Sequence, residues 1–202
     1  MINSICKKGT QAINYFARKK EGKINKMKAI KLIYFADRYH LRKYGRPVIG
    51  DIYWAMKFGP VASTVLDIAG LQKNIDEGCL DYAKTYLRHP EGDDKGETMV
   101  SKKEVDLQEF SQTDIEAMEV AYKEFGDKDQ FELAEITHVY PEWSKYEKDI
   151  LVDGKKRMKM DYFDFFLNPK KGGSGIFDMS SEDIDDAKEI YEENATVERM
   201  LG

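Results

Sequence analysis

The chain has 202 residues, 42% of them hydrophobic and 34% charged, with a formal net charge of −5. That is enough apolar material for one well-packed domain with additions, and no run is long and apolar enough to span a bilayer. The acidic balance argues against a nucleic-acid binder, whose contact face is ordinarily basic, and residues 1–20 lack the apolar core of a signal peptide.

Residues 4–20 carry Ile5, Ala12, Ile13, Phe16 and Ala17 at helical spacing, which predicts an amphipathic helix, weakened early by Gly9-Thr10. Cys6 in this helix and Cys79 lie far apart without metal-ligand spacing. They read as free thiols of a reducing cytoplasm, the compartment expected for this chain. A second helix is predicted between Asn25, a suitable N-cap, and Gly45, a suitable C-terminal stop. Ile30, Ile33, Tyr34, Leu41 and Tyr44 share one face and Leu32, Phe35, Ala36 and Tyr39 the opposite one. A helix apolar on both sides is a central one. Arg38, Arg42 and Lys43 are its expected outlets to water, and they suit the negative end of the helix dipole. Asp37 interrupts the first stripe. A buried carboxylate needs a partner, and Arg46 and Lys57 are the nearest cations by chain order. With His40 one turn along, the expectation is a structural polar cluster of Asp37, His40 and Arg46.

After a GRPVIGD turn, residues 52–58 read as a strand ended by Gly59-Pro60. Ile52, Trp54, Met56 and Phe58 point one way, and Tyr53, Ala55 and Lys57 the other. Trp54 and Phe58 are expected in the core, so Tyr53 faces outward. Residues 61–71 predict a short helix. Residues 78–106 read as a β-hairpin with a long tip, HPEGDDKG, with a helix for LDYAKTYLR as the competing reading. Ser111 and Asp114 form an approximate capping box, and Phe110 and Ile115 a hydrophobic staple, at the start of a helix that Gly126 closes. Another helix covers residues 130–139, and Trp143 and Tyr146 lie in a short helical turn beyond Pro141. The last fifty or so residues read differently: a basic turn, VDGKKRMKM; an aromatic cluster, DYFDFFLN; a linker, NPKKGGSG; and an acidic helix capped by Ser180 or Ser181. The fold class that emerges is α+β, predominantly α-helical, with a central buried helix and a small antiparallel β-sheet.

Few residues suggest chemistry. There is no Gly-rich phosphate loop and no HExxH, no zinc spacing, and the acidic tail lacks the Asp/Gly spacing of a calcium loop. No cofactor is expected. His40, His89 and His138 fall on three different elements. Asp37 with His40 is the one pair that could serve acid–base work, as in a hydrolase; the competing reading is structural. Aromatic residues supply much of the energy of protein interfaces, which makes Tyr53, Tyr82 and Tyr86, with Lys57, the candidate partner-binding residues.

Two stretches carry a resemblance. KLIYFADRYHLRKYGRPVIGDIYWAMKFGPV, residues 31–61, resembles the SocA/Panacea antitoxin domain of bacteria and their phages. FSQTDIEAMEVAYKEFGDKDQFELAEITHVYPEW, residues 110–143, resembles that domain's second half, where a capped helix ends in Tyr/Phe-Gly and the next ends in a His with a Trp shortly after. The resemblance covers residues 28–148. It implies a domain over residues 1–148 including the N-terminal helix, followed by a C-terminal extension, 149–202, that ends in an acidic helix. It implies an α-rich fold and a non-enzymatic antitoxin of a toxin–antitoxin system. The partner would be a cognate protein toxin, neutralised by direct binding. One branch of the family acts as an adaptor that delivers its toxin to a Clp-type protease, so such a protease is a further implied partner. Neither a membrane nor a nucleic acid is implied, and the resemblance carries no catalytic residue.

Overall fold

A computed structural model describes residues 2–201 of the chain. Helix α1 (Ser4–Lys19) starts where Asn3 accepts from the Cys6 N–H, and it runs unbroken through Gly9. A Cβ at Gly9 would press on Ile68 and Val65, so the glycine lets a neighbouring helix sit close rather than breaking this one. A short strand, β1 (Lys23–Asn25), leads into α2 (Lys26–Tyr44). Asn25 caps α2 by accepting from the Lys28 N–H, and Gly45 ends it at φ +67°, a conformation that suits a residue without Cβ.

Strands β2 (Tyr53–Met56) and β3 (Gly59–Ala62) form a tight hairpin, followed by α3 (Ser63–Ala69) and α4 (Glu77–Tyr86). Strands β4 (Leu87–Arg88) and β5 (Thr98–Ser101) flank the polar tract, and then come α5 (Gln112–Phe125), α6 (Gln130–His138) and α7 (Pro141–Ser144). Strand β6 (Met158–Lys159), two short 3-10 turns and α8 (Ser181–Leu201) complete the chain. The fold is α+β and mostly helical. Its strands form two small antiparallel sheets, ordered β1-β5-β4 and β3-β2-β6, where one was expected.

Helix α2 is central, and both apolar stripes are buried except at Tyr44, which is half-buried. Its arginines correct the expectation. Arg38 and Arg42 are not outlets to water; both are fully buried. Arg42 satisfies its donors on the C-terminal segment, whereas Arg38 divides its bonds between that segment and Glu142 and leaves its Nε unpartnered among the described residues. Arg42 donates to the carbonyls of Phe165, Phe166 and Phe177 and to Asn168, while Arg38 pairs with the buried Glu142 and donates to the Leu167 carbonyl. A guanidinium has enough fixed donors to be buried against main chain when its donors are matched, as those of Arg42 are. Burial still draws the Arg42 group down to about 10. Phe165, Phe166 and Phe177 join the main core, and α8 lies so close to α2 that a Cβ at Gly45 would overlap Ala187 and Ile190.

Three further expectations are corrected. Gly59-Pro60 does not end the sheet but opens β3, because the turn comes two residues earlier. The run LDYAKTYLR is helical as far as Tyr86, since Asp76 caps α4 through the Cys79 N–H and Cys79, Leu80 and Ala83 share its buried side, and its last two residues form β4. Only β4 and β5 remain of the expected hairpin. Cys6 and Cys79 are not free thiols. They form a disulfide joining α1 to α4, with Cα atoms 5.8 Å apart across a sequence separation of 73. Chain distance conceals that proximity, which the packing of α4 on α1 creates.

Candidate protein-interaction face

The β2–β3 hairpin turns on Lys57-Phe58, with Met56 opposite Gly59. Gly59 has φ +92°, and a Cβ there would overlap Thr137 of α6. A hairpin tip closed by a left-handed glycine is a common solution, and here the glycine also lets the strand touch the helix. The period-2 alternation is as read, but the faces are exchanged. Tyr53 and Ala55 are buried; Trp54 and Met56 are half-buried on the outer side, and Phe58 is 50% exposed.

That outer side gathers aromatic and cationic groups from three elements. Phe131, at the start of α6 and 55% exposed, meets Phe58 edge-on at 6.4 Å. The Lys57 ammonium lies 5.7 Å from the Phe58 ring centre. Strand β6 pairs with β2 so that Lys159 stands opposite Trp54, and the Arg157 guanidinium covers the Trp54 ring at 4.3 Å. Among the described residues, Lys57, Lys156, Arg157 and Lys159 take part in no ion pair.

Buried polar side chains hold this hairpin from beneath. Lys31 of α2, 1% exposed, donates to the Pro60 carbonyl at 2.7 Å, and burial draws its ammonium down to about 7. Trp143 donates from Nε1 to the Met56 carbonyl at 2.9 Å and is stacked on His138 at 3.6 Å. His138 is itself drawn down to about 4 by burial, with the Lys31 charge adding to the effect. Asp37 accepts from the Ile49 N–H at 2.9 Å and the Tyr53 hydroxyl at 2.8 Å, and burial pushes its carboxyl up to about 7. Asp51 accepts from the Ile52 and Val65 N–H groups and the Thr64 hydroxyl, which fixes both ends of the hairpin, and burial raises its carboxyl too. Desolvating such groups is costly, and Lys31, Trp143, Asp37 and Asp51 each bond to β2, β3 or the residues next to them.

These residues lie within one family match. The model described as "Antitoxin SocA-like, Panacea domain" matches residues 30–144. The chain belongs to the SocA-like Panacea family. The match takes in Lys31, Asp37, Asp51, the hairpin, His138 and Trp143, so the two stretches of resemblance in the sequence meet in space at the hairpin. Arg157 and Lys159 lie beyond the Panacea match. No curated protein and no solved structure matches the chain. No helix among the described residues is long and apolar enough to cross a membrane.

The expected polar cluster of this Panacea domain divides in two. Asp37 does not meet Arg46 or Lys57; its partners are the Ile49 N–H and Tyr53, because the turn after α2 folds residues 48–53 over it. His40 and Arg46 do come together. His40 Nδ1 donates to the Arg46 carbonyl at 2.6 Å, which leaves Nε2 to accept from the Thr113 hydroxyl at 2.9 Å. Burial draws His40 down to about 4, so the ring is neutral at pH 7. Arg46 and Lys8 flank the buried Asp114, 2.9 and 3.0 Å from its oxygens. Burial pushes the Asp114 carboxyl up, but the Ser111 N–H and these cations hold it below the usual range. Asp114 closes the capping box of α5, so one carboxylate serves both the helix start and the α2 turn.

The other candidate residues are dispersed. Tyr53 faces inward at 2% exposure, which corrects its reading as a surface residue: Asp37 and the Phe165 ring, 5.6 Å away, claim it. Lys57 is exposed at the tip. Tyr82 and Tyr86 are half-buried on α4, ring against ring at 5.1 Å, and the Tyr82 hydroxyl accepts from Gln11. Lys31, Asp51, Phe131, Arg157 and Lys159 were not among the residues singled out by sequence. Lys31 carries a signal in hindsight, as a lysine between Ile30 and Leu32 on a helix apolar on both sides. No group of His, Cys, Asp or Glu among the described residues could hold a metal ion.

Proposed function

We propose that the chain is an antitoxin that neutralises a co-encoded protein toxin by direct binding, and that the outer face of the β2–β3 hairpin makes the contact. One observation carries this reading: an exposed aromatic pair joins Phe58, at the tip of a hairpin fixed by four buried polar side chains, to Phe131 on the adjoining helix α6. Exposed rings contribute little to folding, whereas a pre-ordered hairpin lowers the entropy lost on association. Interfaces of standard size bury roughly 800 Å² per partner and concentrate their energy in a few aromatic or Arg anchors. Trp54, Phe58, Phe131 and Arg157 have that composition. Membership of the antitoxin-like family supplies the class of partner.

The hydrolase reading finds no support in the geometry. Asp37 and His40 are both fully buried and bond to separate partners, so they present no shared surface to a substrate. Co-expression with the neighbouring gene tests the proposal. The neighbour alone should arrest growth, the chain should restore it, and the two should co-purify. The double substitution Trp54→Ala, Phe58→Ala should abolish both protection and co-purification while the chain still melts cooperatively. Protection that needs a Clp-type protease and lowers toxin abundance would replace occupation by adaptor delivery. Protection without any physical association would refute direct neutralisation.

A further inference from the structure

We infer that the surface this face receives is acidic: a protein surface with carboxylates around an apolar centre. The inference deepens the reading of the hairpin as the contact face and rests on it. In a chain of net charge −5, three cations that form no ion pair among the described residues, Lys57, Arg157 and Lys159, stand at an aromatic strip, and a fourth, Lys156, precedes Arg157 in the chain. The lack of an ion pair does not by itself distinguish them, since exposed lysines such as Lys23, Lys84 and Lys123 also form none among the described residues, whereas Lys43, Lys145 and Lys155 are matched by Glu116, Asp164 and Asp149. What distinguishes Lys57, Arg157 and Lys159 is their place beside the rings of Phe58 and Trp54. Lys155 is neutralised within the same KKRMK run in which Lys156, Arg157 and Lys159 are not.

Arg157 is the most informative of the four. The Trp54 ring covers one face of its guanidinium at 4.3 Å and limits its rotation. The N–H edge is left for a planar acceptor, and a carboxylate matches that fork with two parallel hydrogen bonds. Lys159, across the β2–β6 pair from Trp54, places a second positive charge on the same strip. Lys57 over Phe58 extends it to the hairpin tip.

Aromatic and cationic groups together also suit single-stranded nucleic acid, on which bases stack while cations follow the backbone. Two observations favour protein. Four cations give a short patch rather than a track, and the acidic remainder of the chain repels a polyanion that runs past it. A folded acidic surface meets the patch and stops there.

The test uses the full chain and, as probe, the purified product of the neighbouring gene, with affinities and rates measured by surface plasmon resonance. Raising NaCl from about 50 mM to about 500 mM should weaken binding by about tenfold or more, mainly through slower association. Arg157→Glu with Lys159→Glu should cost a further factor of about ten or more and flatten the salt dependence. Arg157→Lys with Lys159→Arg should keep the salt dependence but dissociate faster, since the fork is lost while the charge is kept. These positions are exposed, and unchanged melting curves should show that the fold is intact. Salt-independent affinity, unmoved by charge reversal, would overturn the inference while leaving the contact face standing, provided Phe58→Ala still weakens the complex. If Phe58→Ala changes nothing, the contact face itself is wrong and the inference falls with it. Displacement of the neighbouring-gene product by a uridine oligonucleotide at lower concentration than by poly-glutamate would overturn it in favour of nucleic acid.

Discussion

Replacing Asp37 by asparagine should remove a pH dependence from the stability of the protein. The Asp37 carboxyl is fully buried, accepts from the Ile49 N–H and the Tyr53 hydroxyl, and has no cation beside it. Burial raises it from 3.8 to about 7. Between those values the unfolded chain ionises while the folded chain keeps its proton. The stabilisation is therefore complete below about pH 4 and is lost as pH rises through about 7. Each pH unit is worth about 1.4 kcal/mol, so the contribution lost is on the order of 4 kcal/mol. Asparagine keeps an oxygen for the Ile49 N–H, and its amide group can donate to the Tyr53 oxygen, at a fixed cost that does not vary with pH. Urea unfolding followed by tryptophan fluorescence, for both proteins at intervals from about pH 4 to about pH 8, isolates the term because other groups titrate equally in each. The difference in unfolding free energy should move in favour of the variant by about 4 kcal/mol across that range. Parallel curves would refute the reasoning.

Lys31 has the opposite sign: its folded value lies near 7 against 10.5 unfolded, so stability is full above about 10.5 and falls as pH drops through 7. Lys31→Met should remove that slope, worth up to about 5 kcal/mol, from unfolding curves taken between about pH 7 and about pH 10. Gly59→Ala should destabilise by about 2–5 kcal/mol, from the left-handed backbone and the overlap with Thr137. Adding Thr137→Ala should recover only the second part in thermal melts. Arg42→Met strips the carbonyls of Phe165, Phe166 and Phe177 of a charged donor and should cost at least about 3 kcal/mol, with earlier tryptic cleavage at Lys170 and Lys171. In the wild type the exposed tract at residues 90–97 should be cut first, at Lys95.

What local chemistry decides could be read from the sequence. The Asn25 cap, the Gly45 stop and the Ser111–Asp114 capping box each involve residues a few positions apart, and the structure has all of them. The alternation in β2 was equally visible, but a period of two says only that faces alternate. The inward face is chosen by Asp37 and by Phe165, which lies more than a hundred positions beyond Tyr53. Arg38 and Arg42 were misplaced for the same reason. Cations belong at the surface unless partners are supplied, and theirs come from Glu142 and from carbonyls of the C-terminal segment. The proposed contact face joins Trp54 and Phe58 to Phe131 and Arg157, residues that only the packing of α6 and β6 on the hairpin brings together.

Hydroxyl-radical footprinting of the chain, alone and mixed with the neighbouring gene's product, tests the contact face most directly. Trp54, Phe58 and Phe131 are accessible in the free chain, whereas Tyr53 and Trp143 are buried and serve as internal controls. The account predicts loss of labelling at Trp54, Phe58 and Phe131 in the complex and no change at Tyr82 and Tyr86. Protection of Tyr82 and Tyr86, with the hairpin rings labelled as in the free chain, would contradict it.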